Sequence, residues 1–363
     1  MKKKVVFFIN SIQQQRCLKR IEEFIANGYE IEAYGFNRAK EIPTLPTSFS
    51  VNIIANLENH KSYMKRIMVM YNAMKPIIDQ NRNEDVIYYY FLLDVAMVGC
   101  HLSKKPYIYE ESDLMQTYLP SKILRNILNG IDRYIIQHSL ITTMTSEGFA
   151  QYHFDTQWPD NIVIVPNRLN RNVLELPFKT SSIDINHIRF AFVGGARFNS
   201  ILNFVKIIAS HFPQHEFHFY GTILDLHQEF MQIINLHENV FMHGKFSNPK
   251  DLPDIYEHID IVLAAYDTNF ENVRYAEPNK LYEAAFFKTP IIVSKGTYLA
   301  SKVTQWGIGF ELNAMNNEEI ITFIKRITLD GIQECIDNCN ALDTRELINE
   351  NPLLFKKLSS ITR

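Results

Sequence analysis

The stretch RYAEPNKLYEAAFFKTPIIVS, residues 274–294, encodes a loop, a helix and a strand in succession. Pro278 cannot continue a preceding helix and Asn279 is a favourable N-cap, which predicts a helix over residues 280–287. Pro290 ends this helix, because a proline disfavours the helical conformation of the residue before it. The β-branched run that follows predicts a buried strand. A short helix that leads into such a strand is typical of α/β proteins with a parallel sheet.

The same alternation of apolar runs and helical patterns extends along the chain in two series. The first series of predicted strands comprises residues 5–10, 29–36, 85–91, 106–110, 140–145 and 161–166, and the second comprises 188–195, 216–221, 239–244, 259–266, 290–294 and 308–312. Crossovers of this length predict parallel strands with helices on both faces of each sheet. The predicted fold class is therefore α/β, with two Rossmann-like domains that face each other across a cleft.

A polar and weakly periodic stretch separates the two series and sets the predicted domain boundaries. We expect an N-terminal domain over 1–166, an interdomain passage over 167–187 and a C-terminal domain over 188–342. The remainder, 343–363, is predicted to be a helix that packs back on the N-terminal domain. Ligands of open parallel sheets bind at the carboxyl ends of the strands, so the predicted site lies at these ends.

Composition and charge argue against several classes of protein. The chain has 363 residues, of which 46% are apolar, enough for two buried cores. A formal net charge of −3 argues against a nucleic-acid-binding protein. The charge is uneven, since residues 1–165 carry 18 Lys and Arg against 17 Asp and Glu, and the remainder carries 19 against 23. The N-terminal half is therefore the side expected to meet an anionic surface.

Several other sequence patterns are missing. The basic N-terminus is followed by a run of only five apolar residues, too short for a signal peptide, and no stretch reaches the roughly 18 apolar residues of a spanning helix. The four Cys form no C-x-x-C pair and are expected to be reduced thiols. Neither a G-x-G-x-x-G fingerprint nor a P-loop occurs, which argues against a dehydrogenase or a P-loop kinase. A cytoplasmic location is expected.

Glycines and cations follow two strands of the second series. The segment VGGARFN, residues 193–199, places Gly194, Gly195 and Arg197 between a strand and a helix. Glycines allow backbone N–H groups to approach an oxyanion, the helix N-terminus adds a favourable dipole, and an arginine can add a bidentate phosphate contact. Lys245 follows a later strand in the same way. Two alternatives remain open, a tight turn with a solvated arginine and a surface lysine.

Glu283 lies in the first turn of the helix predicted over residues 280–287. One interpretation is a surface residue that compensates the helix dipole. The other is a carboxylate that accepts two hydrogen bonds from the vicinal hydroxyls of a ribose, as acidic residues do in dinucleotide sites.

The segment from IRFAFVGG through PNKLYEAAFFKTPIIVS, residues 188–294, resembles the donor half of the glycosyltransferase family 4 enzymes and their relatives of GT-B fold. The resemblance implies a GT-B architecture and a nucleotide-sugar site in which Glu283 binds the ribose hydroxyls. The donor-nucleotide site implied in this way consists of Gly194, Gly195, Arg197, Lys245, Phe246 and Glu283, and Glu277, Asn279 and Lys280 line the diphosphate or the sugar.

The chain departs from the family pattern at three places. Many family members carry a second Glu eight positions before the ribose-binding one, where this chain has Tyr275, and Glu277 is two residues displaced. The second Lys that usually follows the glycine turn and Arg is missing from residues 198–205. The segment NSIQQQR, residues 10–16, replaces a glycine-rich loop. These departures leave the sugar and the acceptor open.

Three carboxylates follow the predicted strand at 106–110 and are the candidate catalytic residues. Glu110, Glu111 and Asp113 could orient or deprotonate an acceptor hydroxyl. The alternative is a helix N-terminus that carries acidic residues without a catalytic role.

Two stretches, residues 60–75 and 118–136, combine basic with apolar side chains and could contact anionic lipid. The alternative is the ordinary core-facing helix of an α/β protein. Among the basic residues of these stretches are Lys61, Lys65, Arg66, Lys122, Arg125 and Arg133.

Taken with the resemblance, the sequence predicts a cytoplasmic glycosyltransferase of hexosyltransferase type at the inner face of the membrane. A retaining transfer is expected, from a UDP- or GDP-linked sugar to a glycan or polyprenyl-linked acceptor, in bacterial surface polysaccharide assembly. We expect no cofactor and no nucleic-acid partner, and no metal because the chain contains no Asp-x-Asp. The alternatives are a nucleotide-sugar epimerase of the same architecture and a non-catalytic, glycosyltransferase-like binding subunit.

Overall fold

The structure, a computed structural model, describes residues 4–38, 49–57, 62–178 and 182–361. It divides into two compact units, each with its own parallel sheet. Unit 1 comprises Met1–Val165 together with Asn351–Arg363, and unit 2 comprises Pro166–Glu350.

The sheet of unit 1 has seven strands in the order β3-β2-β1-β4-β5-β6-β7. The strand β1 pairs in parallel with β2 and β4, and all the other pairings are parallel as well. The strands are β1 Lys4–Ile9, β2 Ile31–Asn37, β3 Asn52–Asn56, β4 Val86–Phe91, β5 Tyr107–Glu111, β6 Ile141–Met144 and β7 Ile162–Ile164. The helices between them are α1 Gln15–Ala26, α2 Tyr63–Gln80, α3 Leu93–Leu102, α4 Lys122–His138 and α5 Glu147–Phe154, with a 3₁₀ turn at Met115–Tyr118.

The sheet of unit 2 has six parallel strands in the order β10-β9-β8-β11-β12-β13. The strands are β8 Arg189–Ala196, β9 Glu216–Ile223, β10 Val240–Gly244, β11 Ile261–Ala264, β12 Ile291–Ser294 and β13 Gly309–Leu312. The helices are α6 Asn199–His211, α7 His227–Leu236, α8 Leu252–Glu257, α9 Glu271–Tyr275, α10 Lys280–Phe286, α11 Tyr298–Trp306, α12 Asn317–Arg326, α13 Leu329–Ala341 and α14 Thr344–Leu347, after a 3₁₀ turn at Arg171–Glu175.

The last helix, α15 Pro352–Ile361, belongs to unit 1. Its Leu354 and Leu358 are fully buried in a core cluster that includes Phe7 of β1 and Phe24 of α1. The apolar face of α15 therefore covers the side of the first sheet that also carries α1. Burial of two leucines contributes about 3–6 kcal/mol to this packing by the usual transfer free energy.

Alternation along the strands sends neighbouring residues to opposite faces of each sheet. In β8, Phe190 and Phe192 pack into one core cluster of unit 2, and Ala191 and Val193 pack into the other. Both faces of the sheet are thus covered, which explains why its strands are continuous apolar runs.

Each strand predicted from the sequence is present, and the α/β fold class is confirmed. The strand β3 was not predicted, because Asn52–Asn56 lies at a sheet edge with largely exposed side chains and lacks an apolar run. Asn279 precedes α10 as predicted, but its side chain does not cap the helix. None of the helices in the described part of the chain combines the length and hydropathy needed to cross a membrane.

Candidate functional site

Glu283 is buried in unit 2, with only 2% of its surface exposed. Its Oε1 accepts hydrogen bonds from Asn248 Nδ2 at 3.2 Å and Asn279 Nδ2 at 2.6 Å, and its Oε2 accepts one from the Tyr256 hydroxyl at 3.2 Å. Burial raises the pKa of this carboxyl above its ordinary value. The interpretation of Glu283 as a surface residue is therefore wrong. Three neutral donors fix the carboxylate without neutralising it.

Lys280, at the start of α10, is also buried and is 7% exposed. Its Nζ lies 4.6 Å from the centroid of the Phe192 ring and 5.8 Å from that of Tyr266. Among the described residues the ammonium has no carboxylate within ion-pair distance and no hydrogen-bond acceptor, so its charge is stabilised by these aromatic rings and by the longer-range attraction of Glu283. Burial of an ammonium is costly unless it is paired. This position therefore favours an anionic ligand.

Gly194, at the carboxyl end of β8, lies beside this ammonium. A Cβ atom at Gly194 would be 3.0 Å from Lys280 Nζ, and the residue has φ +132°. The paired residue on β9 is Gly221, where a Cβ would be 2.1 Å from the carbonyl oxygen of Gly194. Glycine is thus required at both positions, and the close approach leaves the Lys280 ammonium next to bare backbone.

Arg197 is exposed just after β8, with its guanidinium carbon 5.2 Å from the centroid of the Phe198 ring. It forms no ion pair within the described ranges. Gly195 is exposed as well, and a Cβ there would contact Leu224. Arg197 is therefore available to a ligand that reaches this strand end.

The N-terminus of α6 was expected to bind a phosphate, but a side chain of the protein occupies it. Asp267, which follows β11 and is buried, accepts hydrogen bonds from the backbone N–H groups of Asn199 at 3.1 Å and Ser200 at 2.7 Å. A carboxylate from the protein itself thus occupies the place proposed for a phosphate oxygen. No local sequence pattern indicates this contact, because Asp267 is 68 residues away from Asn199.

The remaining predicted donor residues lie at separate points. Lys245 is exposed after β10, and Phe246 is half-buried and packs on the core. Glu277 is buried and accepts a hydrogen bond from the Tyr282 hydroxyl. Of the predicted residues, Asn279 is therefore hydrogen-bonded to Glu283, and the Lys280 ammonium lies beside Gly194. No contact of Lys245 or Arg197 with these groups is present among the described residues.

Adjacent carboxylates of β5 in unit 1 point to opposite faces of the sheet. Glu110 is buried and accepts hydrogen bonds from Arg20 Nε at 3.0 Å and from the Tyr89 hydroxyl. Glu111 is buried on the other face, with its Oε1 2.9 Å from His153 Nε2. Each of these carboxylates is thus held within the unit.

Asp113 is the most exposed of the three candidate catalytic residues, with a third of its side chain accessible. It forms an ion pair with Arg16, whose Nη2 lies 3.0 Å from Asp113 Oδ2. Arg16 also donates to the carbonyl oxygen of Ser112 at 3.4 Å. The arginine therefore fixes the carboxylate while part of it stays open to solvent.

The two basic stretches form much of α2 and α4 and expose apolar side chains. Met64 and Met68 of α2 are exposed, as are Ile123, Leu124 and Ile127 of α4. The first two turns of α4 therefore carry an apolar face that the described part of the chain does not cover. The lysines and arginines described on these helices are Lys65, Arg66, Lys75, Lys122, Arg125 and Arg133, and Lys61 lies outside the described residues.

No family model and no curated protein sequence matches the chain. Solved structures do match over nearly its whole length. A sucrose-phosphate synthase from Thermosynechococcus elongatus has a TM-score of 0.70 and 13% identity, with 99% of this chain and 100% of that chain covered. HepE from Anabaena in complex with UDP-glucose has a TM-score of 0.70 and 15% identity, with 98% and 99% covered.

A UDP-GlcNAc 2-epimerase from Neisseria meningitidis bound to UDP-GlcNAc is similar too. It has a TM-score of 0.66 and 12% identity, with 98% of this chain and 100% of that chain covered. Similarity at such low identity shows the fold alone. The fold is that of the GT-B enzymes, with two Rossmann-like α/β units.

Replacement of Lys280 by methionine should stabilise the protein, because it removes a buried ammonium that has no carboxylate partner. We expect the free energy of unfolding to rise by about 1–2 kcal/mol in Lys280→Met. Urea denaturation without ligand measures this change. Lys206→Met, at an exposed position of α6, is the matched control and should change stability by less than about 0.5 kcal/mol. A loss of stability in Lys280→Met would mean that the ammonium is satisfied within the protein.

Proposed function

We propose that the protein is a glycosyltransferase that transfers a sugar from a nucleoside diphosphate sugar to a hydroxyl acceptor. The observation that carries the proposal is the buried Lys280 ammonium, which lies beside the Gly194 backbone without an anionic partner in the described part of the chain. A diphosphate supplies the anion that this position lacks. As the bond between the sugar and the diphosphate breaks, negative charge builds up on the leaving phosphate. A fixed ammonium therefore stabilises the transition state more than the ground state.

Glu283 is proposed to bind the ribose of the donor. Its Oε1 already accepts two hydrogen bonds and its Oε2 accepts one, so Oε2 retains capacity for one ribose hydroxyl. The second ribose hydroxyl would replace Asn248 as a hydrogen-bond donor to Glu283 Oε1. Asn248 is exposed, and its hydrogen bond to Oε1 is long at 3.2 Å. Tyr256 and Asn279 would keep the carboxylate oriented meanwhile.

The outer part of the donor is assigned to the remaining predicted residues of the same unit. Arg197 and Lys245 would add charge to the diphosphate, Gly195 would allow its approach, and Phe246 would meet the base through its backbone. Glu277 would face the sugar, where its bond to Tyr282 sets its direction. No metal is required for this neutralisation.

Asp113 is proposed to orient or deprotonate the acceptor hydroxyl. It is preferred over Glu110 and Glu111, because those two carboxylates are buried and already bonded to side chains of unit 1. General-base assistance of this kind contributes roughly 10²–10⁴-fold to a rate.

The exposed apolar face of α2 and α4 favours an acceptor presented at a lipid surface. Basic side chains next to exposed Met, Ile and Leu are typical of helices that lie on anionic lipid. The proposal therefore extends to a glycan or polyprenyl-linked acceptor and to bacterial surface polysaccharide assembly at the inner face of the membrane, by a retaining enzyme related to glycosyltransferase family 4. The likeness to HepE in complex with UDP-glucose supports a UDP-linked donor, with a GDP-linked sugar as the alternative.

A nucleotide-sugar epimerase is the second candidate, since an epimerase bound to UDP-GlcNAc shares the fold. It would use the same donor residues but would need neither Asp113 nor a lipid-facing helix pair.

The donor assignment predicts that UDP or GDP stabilises the protein and that Glu283→Gln weakens this binding. A nucleotide at 100 times its dissociation constant should add about 2.7 kcal/mol to the free energy of unfolding. Glu283→Gln should raise the dissociation constant about tenfold, equivalent to about 1.4 kcal/mol, because an amide accepts only one of the two ribose hydrogen bonds. Isothermal titration measures the constant.

Glu318→Gln is the matched control, since Glu318 is likewise in the first turn of a helix but is exposed. Its donor affinity should equal that of the unmodified chain. Equal affinities in Glu283→Gln would contradict the ribose assignment, and no stabilisation by any nucleotide would favour a non-catalytic binding subunit.

The catalytic assignment predicts nucleoside diphosphate release that depends on an acceptor. Membrane extracts that contain lipid-linked glycans provide the acceptor, and UDP-sugars and GDP-sugars are tested in turn. Asp113→Asn should lower the turnover number at least 10²-fold while the donor dissociation constant stays unchanged. Conversion of the sugar without an acceptor would identify an epimerase, and a binding subunit would show neither reaction.

The lipid assignment predicts binding to anionic vesicles that salt reverses. Phosphatidylglycerol vesicles should sediment the protein at low ionic strength and release it at high ionic strength, because salt screens the attraction. Ile123→Glu combined with Ile127→Glu should reduce the bound fraction about tenfold or more. Leu236→Glu, at an exposed position of α7 in unit 2, is the control and should bind normally. Equal binding by both variants would contradict the assignment.

A further inference from the structure

Three side chains from different elements converge inside unit 1. Glu111 at the end of β5, Asp132 of α4 and His153 of α5 are all buried. One ligand atom from each of them lies within 4.8 Å of those from the other two. This cluster has no role in the donor site or in the proposed acceptor chemistry.

Most polar atoms of the cluster have no hydrogen-bond partner. His153 Nε2 lies 2.9 Å from Glu111 Oε1 and 3.8 Å from Asp132 Oδ2. No well-formed hydrogen bond reaches either carboxylate oxygen of Asp132, Oε2 of Glu111, Nδ1 of His153 or the hydroxyl of Tyr109, although Asp132 faces both Glu111 and Tyr109. Buried polar atoms in folded proteins almost always have a hydrogen-bond partner. Several oxygens without one in a single place therefore indicate a bound species that accepts their lone pairs, such as a cation.

The charges of the cluster point to a cation. Within the described ranges neither Glu111 nor Asp132 forms an ion pair with a lysine or arginine. Two carboxylates and a neutral imidazole are balanced by a double positive charge.

We propose that Glu111, Asp132 and His153 bind one divalent transition-metal ion that ties β5 to α4 and α5. The mixture of one imidazole nitrogen and two carboxylate groups suits Zn²⁺, whereas Mg²⁺ and Ca²⁺ prefer oxygen ligands alone. Ligand atoms bound to one such ion are about 3–4 Å from one another. The ligand atoms of this cluster lie within 4.8 Å of one another, so small movements of the three side chains would bring them to these distances. We assign the ion a structural role because all three ligands are buried, and a second oxygen of Glu111 or Asp132 would complete four-coordination.

This inference departs from the expectation that the chain binds no metal. That expectation was based on the absence of Asp-x-Asp, which is a local pattern. The three ligands are spread over β5, α4 and α5, and only the packing of both helices on one face of the sheet brings them together.

The first test is the metal content of the full-length protein. The chain is purified without a histidine tag, dialysed against metal-free buffer and analysed by inductively coupled plasma mass spectrometry. About one Zn²⁺ or other first-row ion per chain is expected. Protein stripped with a chelator should lose several degrees of melting temperature and regain about 5 °C on addition of Zn²⁺, but not of Mg²⁺.

Variants then locate the ion. Asp132→Asn and His153→Gln should each lower the bound metal at least tenfold. His218→Gln is the matched control, since His218 lies 2.9 Å from His243 on the sheet of unit 2 and represents a site for adventitious metal. It should leave the content unchanged. Circular dichroism establishes that each variant is folded.

Replacement of the ion by Co²⁺ tests the site even where a variant fails to fold. The visible absorption of the unmodified protein should then show Co²⁺ held by nitrogen and oxygen ligands. Metal far below one equivalent together with no Zn²⁺-dependent stabilisation would overturn the proposal. Loss of the ion in His218→Gln, with full retention in Asp132→Asn, would overturn it equally.

Discussion

The burial of the Lys280 ammonium beside Gly194 is the constraint on which the candidate site of unit 2 depends. Two glycines, Gly194 and Gly221, bring β8 and β9 so close that a Cβ on the second would be 2.1 Å from the carbonyl oxygen of the first. That approach clears the carboxyl end of β8 for the lysine side chain, which Phe192 and Tyr266 flank. The glycines thus fix where the charge lies, and the buried charge is the basis for the proposed anionic ligand.

The sequence predicts the strands well because parallel strands buried on both faces are continuous apolar runs. In β4, all six residues from Val86 to Phe91 are buried, and such a run is visible without any structure. The edge strand β3 has the opposite character, since Asn52–Asn56 is mostly exposed and its strand conformation comes from pairing with β2. Pairing with a distant segment leaves no local pattern, so no analysis of residues 52–56 alone could have found it.

The site was predictable where its residues are neighbours in sequence and not where they are distant. Asn279, Lys280 and Glu283 lie within one helical turn, and the Pro278 boundary marks that turn. Asn248 and Tyr256, which hold Glu283, come from a loop and a helix about 30 residues earlier, and no motif links them to it. The opposite directions of Glu110 and Glu111 follow from strand alternation and could have been predicted.

The buried charged residues differ in whether they have a partner of opposite charge, and this difference suggests different roles for them. Glu110 is buried with Arg20, and an ion pair of this kind is satisfied within the fold, so its carboxylate needs nothing further. Among the described residues, Lys280 in unit 2 forms no direct ion pair, although Glu283 attracts it at longer range, and the Glu111–Asp132 pair in unit 1 has no lysine or arginine partner and faces only His153. A protein that retains such groups bears a cost of several kcal/mol unless a ligand compensates it. The sign of each of these charges underlies the two proposals, an anion at Lys280 and a cation between Glu111 and Asp132.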